Sequence, residues 1–285
     1  MISKTLDKIE EGDILAKDVV LDGTVLIPTG TPIKRDYISN LRELNIELIY
    51  VEYTGEDPLK DVISRKLFDE SHRIMLRHIE NLRHDNIEIL KELLPVSESI
   101  LDEVYDTFDP AEKVEIPERS PDLPTHIIYS CAYACMIGKC MGRSKESMKD
   151  LAAGMILHDI GYRYIATEYA DINPEDLNPG EVFELKKHTI YAFSALDSVD
   201  WLTSEAKMVI LSHHERIDGT GYPLKQKKLN EDIRIACVSD EFDALISGNG
   251  CRICTPKVAL ETMRSRERGF DGRMLDELEK HLDIE

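Results

Sequence analysis

LSHHERIDGTGYP, Leu211 to Pro223, sets two adjacent histidines at the end of an apolar helical run and follows them at once with a glycine-punctuated turn. Neighbours on a helix point about 100° apart, so His213 and His214 diverge and can address two different centres. Gly219 and Gly221 allow positive φ and close backbone approach, and Pro223 stiffens the exit. DGTGYP therefore reads as a shaped rim beside whatever the histidines hold. Alone it would be an ordinary turn; placed directly after a histidine pair, it directs the search to partners elsewhere in the chain.

Those partners are other histidines. Six of the nine lie from residue 126 onward, and His126, His158, His188, His213 and His214 each sit at one end of an apolar helical pattern. The periodicity predicts helices near 126–141, 146–160, 180–196, 203–214, 231–247 and 256–265. A single histidine on an apolar face is most often a hydrogen-bonded core residue. Five of them leave many ring nitrogens to satisfy, and a metal centre satisfies them in one place. Two carboxylates are placed to join them: Asp159 in MILHDIG and Asp240 in IACVSDEFDAL. These seven side chains exceed what one transition ion accepts, so two divalent ions bridged by one carboxylate is the economical arrangement, with Asp159 as the bridge. Imidazole and carboxylate without thiolate argue for iron or manganese over structural zinc, with catalytic zinc left open.

Composition fits such a chain. Over 285 residues, 42% hydrophobic content can fill real cores. No apolar run reaches the roughly 18 residues of a membrane span, and MISKTLDKIEEGDIL carries acids where a signal peptide would not, so cytoplasm is the expected compartment. A formal charge of −20 disfavours DNA and anionic lipid as partners. A small anionic ligand answers instead to the groups lining its pocket, because screening limits surface charge to about 8 Å at physiological salt. Cys131, Cys135 and Cys140 read as small core-filling residues, and the Cys251/Cys254 pair lacks a second CxxC to complete a zinc site.

The chain divides by pattern into a small β-containing module over 1–55, a helical linker over 56–118 and a helical domain over 119–285. In the first, DGTVLIPTGTPI and IELIYVEY are β-rich and DYISNLREL is helical. The linker carries Ile63, Leu67, Ile74, Ile79 and Leu82 at helical spacing and is expected to stop at Leu94-Pro95. Its histidines, His72, His78 and His84, read as solvated helix faces, and the segment leaves room for a homodimer seam. The prolines at 117, 121 and 124 mark the boundary. The fold class expected is mostly α, with a helical bundle following a small α/β module.

Taken together, HDIG at 158–161, HHERIDGTGYP at 213–223 and VSDEFDAL at 238–245 resemble the HD-GYP family, a branch of the HD superfamily of metal-dependent phosphohydrolases. The resemblance spans roughly residues 119 to 270, and it is the ensemble, not HDxG alone, that makes it specific. It implies a helical HD fold, an iron or manganese site and hydrolysis of cyclic di-GMP to pGpG or GMP. It assigns His126, the pair His158 and Asp159, His188, the pair His213 and His214, and Asp240 as metal ligands, with His158 and Asp159 nearest the chemistry. Some members hold a third ion through a glutamate one turn before the first histidine; Asp122 stands there with a shorter side chain and argues against a third ion.

The departures concern the substrate. The lysine of HDxGK is Tyr162 here, and GNGCRIC replaces RPYR, with Asn249 at the first basic position and Arg252 keeping the second. A charge-assisted contact to phosphate contributes about 1.5–3 kcal/mol, so two losses weaken binding by roughly two to four orders of magnitude unless Tyr162, Lys225 or Arg216 compensates. Gly221, Tyr222 and Pro223 form the substrate-facing turn, where Tyr222 either packs a guanine or anchors the loop. Two rival readings follow: a module that binds a cyclic dinucleotide or a partner such as a diguanylate cyclase without turnover, and a phosphohydrolase with a shifted substrate.

Overall fold

The computed structural model describes residues 2–21, 24–44, 46, 48–52, 61–82, 86–116, 119–165, 177–251, 253–265 and 269–283. The chain forms two compact units, one of residues 1–59 with 117–120 and one of residues 60–116 with 121–285.

In the first unit, β1 (Ile2–Thr5) pairs antiparallel with β4 (Leu48–Val51), and β2 (Val19–Leu21) pairs antiparallel with β3 (Thr24–Ile27) across a register shift at Val19/Val20. α1 (Arg35–Glu43) lies between β3 and β4 in sequence. Ile49 and Val51 alternate inward and meet Leu15, Ile27, Ile33 and Leu41 in a small core of their own. The β-rich and helical patterns read in this stretch correspond to these elements.

The second unit is helical. α2 (Arg65–Asn81) starts at Ser64, whose hydroxyl accepts from Leu67 N at 3.3 Å, and buries Met75, His78 and Ile79 along one stripe. Residues 61–116 join this unit's core directly, so the segment read as a linker is packed structure and not a tether. The expected stop at Leu94-Pro95 is instead a start. A short 3₁₀ helix (Ile87–Leu93) leads into α3 (Leu94–Thr107), and Pro95 occupies its first turn, where a missing N–H costs nothing. The solvated-face reading also fails for His78. It is buried, with Nε2 2.9 Å from Glu92 and Nδ1 2.8 Å from the Ile74 carbonyl, because it lies on the same stripe as Met75. His72 reaches Asp122 at 2.9 Å, and His84 lies outside the described residues.

α4 (Leu123–Cys140) is the axis of the unit, buried on nearly every side as an all-round apolar helix must be. α9 (Glu231–Ser247), α3, α2 and α5 (Lys149–Met155) pack around it, and α8 (Ser204–Ser212) covers α5. α10 (Pro256–Ser265) and α11 (Gly272–His281) close the C-terminal side. Two expected helices are interrupted. The pattern over 146–160 leaves helix after Met155, and the pattern over 180–196 splits into α6 (Pro179–Leu185) and α7 (His188–Leu196). Both breaks fall at site histidines. Among the described residues no helix is long and apolar enough to cross a membrane.

Candidate metal centre

One local device recurs three times where these helices end or break. His158, His188 and His213 each place Nδ1 against the carbonyl three residues earlier, at Met155 (2.6 Å), Leu185 (2.8 Å) and Ile210 (2.8 Å). A carbonyl only accepts, so each Nδ1 carries a hydrogen, and a ring that holds that one proton turns an Nε2 lone pair inward. The contact also accounts for the breaks, since these carbonyls bond a side chain at the helix end. Gly161 lets the His158–Asp159 turn lie directly on the start of α7, because a Cβ there would stand 1.9 Å from the His188 carbonyl oxygen.

The Nε2 atoms of His188 and His213 face one another at 3.2 Å. With both hydrogens on Nδ1, two lone pairs would oppose each other, an arrangement that calls for a cation between them. His126, in the first turns of α4, presents Nε2 to Asp240 Oδ1 at 3.1 Å and Nδ1 to Asp243 Oδ2 at 2.9 Å. Asp159 joins the halves. Its Oδ1 is 3.3 Å from His188 and 3.5 Å from His213, while its Oδ2 is 3.5 Å from both His126 and His158. Asp240 Oδ1 stands 3.3 Å from His158, and its Oδ2 is 3.3 Å from His214 Nδ1.

Two overlapping quartets result: Asp159, His188, His213 and His214 in one, and His126, His158, Asp159 and Asp240 in the other, with ligand atoms in each within 4.8 Å of one another. All seven side chains singled out in the sequence converge here. His158 Nε2, Asp159 Oδ1 and Asp240 Oδ2 are buried with no hydrogen-bond partner. Buried polar atoms are almost always satisfied, and three orphans aimed into one cluster fit divalent cations.

The electrostatics agree. Burial favours the neutral ring at His126, but Asp159, Asp240 and Asp243 outweigh it and raise its pKa well above the usual histidine value. Burial, which alone would raise a carboxyl, is overcome at Asp159 and Asp240 by the surrounding imidazoles, and both stay well below the usual range. Burial brings His188 down to about 4 and, with His213, holds His214 well below its ordinary value, so both are neutral near pH 7 and suited to a metal.

The rim is built by a residue that sequence reasoning missed. Glu215 is fully buried, and its carboxylate accepts from Leu224 N (2.6 Å), Lys225 N (2.9 Å) and Gln226 N (3.0 Å). This holds Lys225 in a left-handed conformation, φ 56. Tyr222 N donates to the His214 carbonyl at 3.1 Å, and Gly221 packs so closely on Glu215 and Arg216 that a Cβ would meet their backbone at 2.4–2.6 Å. Tyr222, which is joined to Pro223 by a cis peptide bond, stacks on His214 at 4.7 Å, and Tyr162 stacks on His188 at 4.2 Å. Asp243 was also missed, although its position one turn after Asp240 on α9 was a signal that could have found it.

The other substrate candidates are elsewhere or otherwise engaged. Arg216 donates to Glu241 at 2.6 Å and to the Glu215 carbonyl, and lies over Phe270 at 4.3 Å, so its charge is neutralised locally. Asn249 follows the end of α9, and the last residue of that helix, Ser247, lies about 10 Å along the axis from Asp240. Arg252 lies outside the described residues. Asp122 is the N-cap of α4 and contacts His72 and Thr125, not the cluster.

Known proteins supply the frame for this geometry. The chain resembles the cyclic di-GMP phosphodiesterase response regulator RpfG of Xanthomonas campestris, 23% identical over 85% of this chain and 70% of that protein. It resembles a cyclic di-GMP phosphodiesterase of Thermotoga maritima, 26% identical over 93% of this chain and 76% of that one. It also resembles the 3'3'-cGAMP-specific phosphodiesterase 2 of Vibrio cholerae, 25% identical over 82% of this chain and 43% of that protein. Among solved structures, Bd1817, an HDG"Y"P protein from Bdellovibrio bacteriovorus, shares the fold with a TM-score of 0.59 at 15% identity over 97% of both chains. The family model described as HD domain matches residues 95–274, well over half of the sequence, and with the HDIG and GYP elements in place the chain belongs to the HD-domain family, in its HD-GYP branch.

Proposed function

We propose that this chain is a metal-dependent phosphodiesterase of a cyclic dinucleotide, with cyclic di-GMP as the first substrate to test and pGpG or GMP as the product. The observation that carries the reading is the split Asp159 carboxylate, one oxygen toward His188 and His213 and the other toward His126 and His158. Two iron or manganese ions are the proposed occupants. Bound there, they would supply an activated water and polarise a phosphodiester oxygen.

The chain's own residues have separate tasks. The carbonyls of Met155, Leu185 and Ile210 hold the Nδ1 hydrogens of three histidines, and Asp243 orients His126, so the inward nitrogens are preset. Tyr222, ring to ring with His214, offers its turn to a guanine. With Tyr162 in place of the family lysine and Arg216 paired to Glu241, Lys186 offers a cation at the Tyr222 ring, its ammonium 5.1 Å from the ring centroid. The module at 1–55 is assigned regulatory input.

The test is incubation of manganese- or iron-loaded protein with cyclic di-GMP and, in parallel, 3'3'-cGAMP. Product above a His158→Ala control supports the reading, and its absence with both substrates removes it. The Tyr162 ring over His188 favours one second reading, a nucleotide- or cyclase-binding module with little turnover. Tight binding without hydrolysis would select it.

A further inference from the structure

A second set of metal-ligating side chains lies at the other end of α4, about 21 Å along the helix axis from His126. Cys140 is the last residue of α4. Glu277 and His281 stand four apart on α11 and therefore share a face. One atom from each, the Cys140 sulfur, a Glu277 oxygen and a His281 nitrogen, lie within 4.8 Å of one another.

The surroundings are those of a built site. His281 is only 2% exposed, Nε2 is 3.1 Å from Glu277 Oε2, and Phe108 meets the ring edge-on at 5.8 Å. Val114 N donates to the His281 carbonyl at 2.9 Å, which pins the end of α11. Cys140 and Glu277 are partly exposed, leaving one open side. The adjacent Lys139 is committed elsewhere, its ammonium donating to the carbonyls of Val104, Tyr105 and Phe108. Burial first and the Glu277 carboxylate second push the Cys140 thiol up to about 12, so without a cation it stays protonated and inert near pH 7.

Thiolate, imidazole and carboxylate together suit zinc, whereas the cluster around Asp159 contains no sulfur. We propose that Cys140, Glu277 and His281 form a separate zinc site that ties the C-terminal ends of α4 and α11 together, with the remaining coordination position open to solvent. Binding displaces the Cys140 proton to solvent as the sulfur–zinc bond forms, and nothing is oxidised or reduced.

The full chain, stripped with a chelator and titrated with cobalt(II) as a zinc probe, distinguishes this site from the other. Sulfur-to-cobalt charge transfer absorbs in the near ultraviolet, and imidazole and carboxylate ligands do not produce it. The wild type should develop this band and lose it when zinc is added. C140S should lack the band but keep the weaker visible absorption of cobalt at the nitrogen and oxygen ligands. E277Q, at a partly exposed position, should weaken the cobalt titration about tenfold and serves as the test if C140S does not fold. Zinc should raise the Tm of the wild type by more than that of C140S, in which only the nitrogen and oxygen ligands remain to bind it. No band in the wild type, or a band of full strength in C140S, which would assign the sulfur to other cysteines such as the Cys251/Cys254 pair, overturns the proposal.

Discussion

The ring of ligands and the rim beside it are made in opposite ways. The ring draws on α4, α7, α9 and the ends of α5 and α8, and it concentrates polar atoms that nothing in the protein satisfies. The rim, a single stretch after His214, has nearly every polar group spoken for: Glu215 by three amides, Arg216 by Glu241, Asp218 by Thr220. Buried ligand-type atoms without protein partners, beside a turn whose polar groups are paired, place the cation-binding chemistry in the ring. The rim contributes shape more than charge.

That contrast is open to direct attack. The largest effect belongs to the shared carboxylate: Asp159→Asn should lower kcat/KM by roughly 10³-fold, about 4 kcal/mol of transition-state stabilisation, and bring bound iron or manganese below one ion per chain by elemental analysis. Equal metal content would show that the quartets do not depend on the shared residue. Next comes Asp243→Asn, which alters the orienting partner of His126 without replacing a proposed ligand. Metal affinity should fall about 10- to 100-fold in a chelator competition, the range typical of outer-sphere carboxylates.

On the rim side, Tyr162→Lys restores the cation that the stacked ring replaces. The KM for cyclic di-GMP should fall about tenfold at low salt, the gain shrinking as salt rises. An unchanged KM would mean that phosphate recognition does not use this position. The smallest effect lies away from both. Burial raises the Asp122 carboxyl, but the bonds from His72 and Thr125 outweigh it and hold it below 3.8. Because the folded value lies below the unfolded one, the stabilisation is present above about pH 4 and is lost as pH falls through the folded value. Asp122→Asn should therefore lower Tm slightly at pH 7 and flatten its decline in acid, read by thermal melts across pH 2 to 7.

How legible each part was follows from the range of its interactions. The seven clustered side chains stood out because several histidines at the ends of apolar helical patterns leave many ring nitrogens to satisfy. Glu215 did not, since a glutamate after two histidines looks like a solvated charge until the turn folds back to place three amides around it. His78 was read as a solvated face and Asp122 as a shortened residue at a third-ion position, and each is held by a partner well away in sequence, Glu92 and His72. Pro95 was misplaced for another reason. Proline halts a helix it interrupts and starts one it precedes, and periodicity alone does not distinguish the two.

Glu215 follows His214 directly, and its carboxylate holds the backbone of 224–226. The turn therefore cannot swing without dragging the peptide next to one of the clustered imidazoles. Position of the loop and occupancy of the ring become a single mechanical variable, like a latch whose bolt is part of its hinge. Stripping the cations should then quicken hydrogen exchange at the amides of Leu224, Lys225 and Gln226, a remote readout of loading that needs no substrate at all.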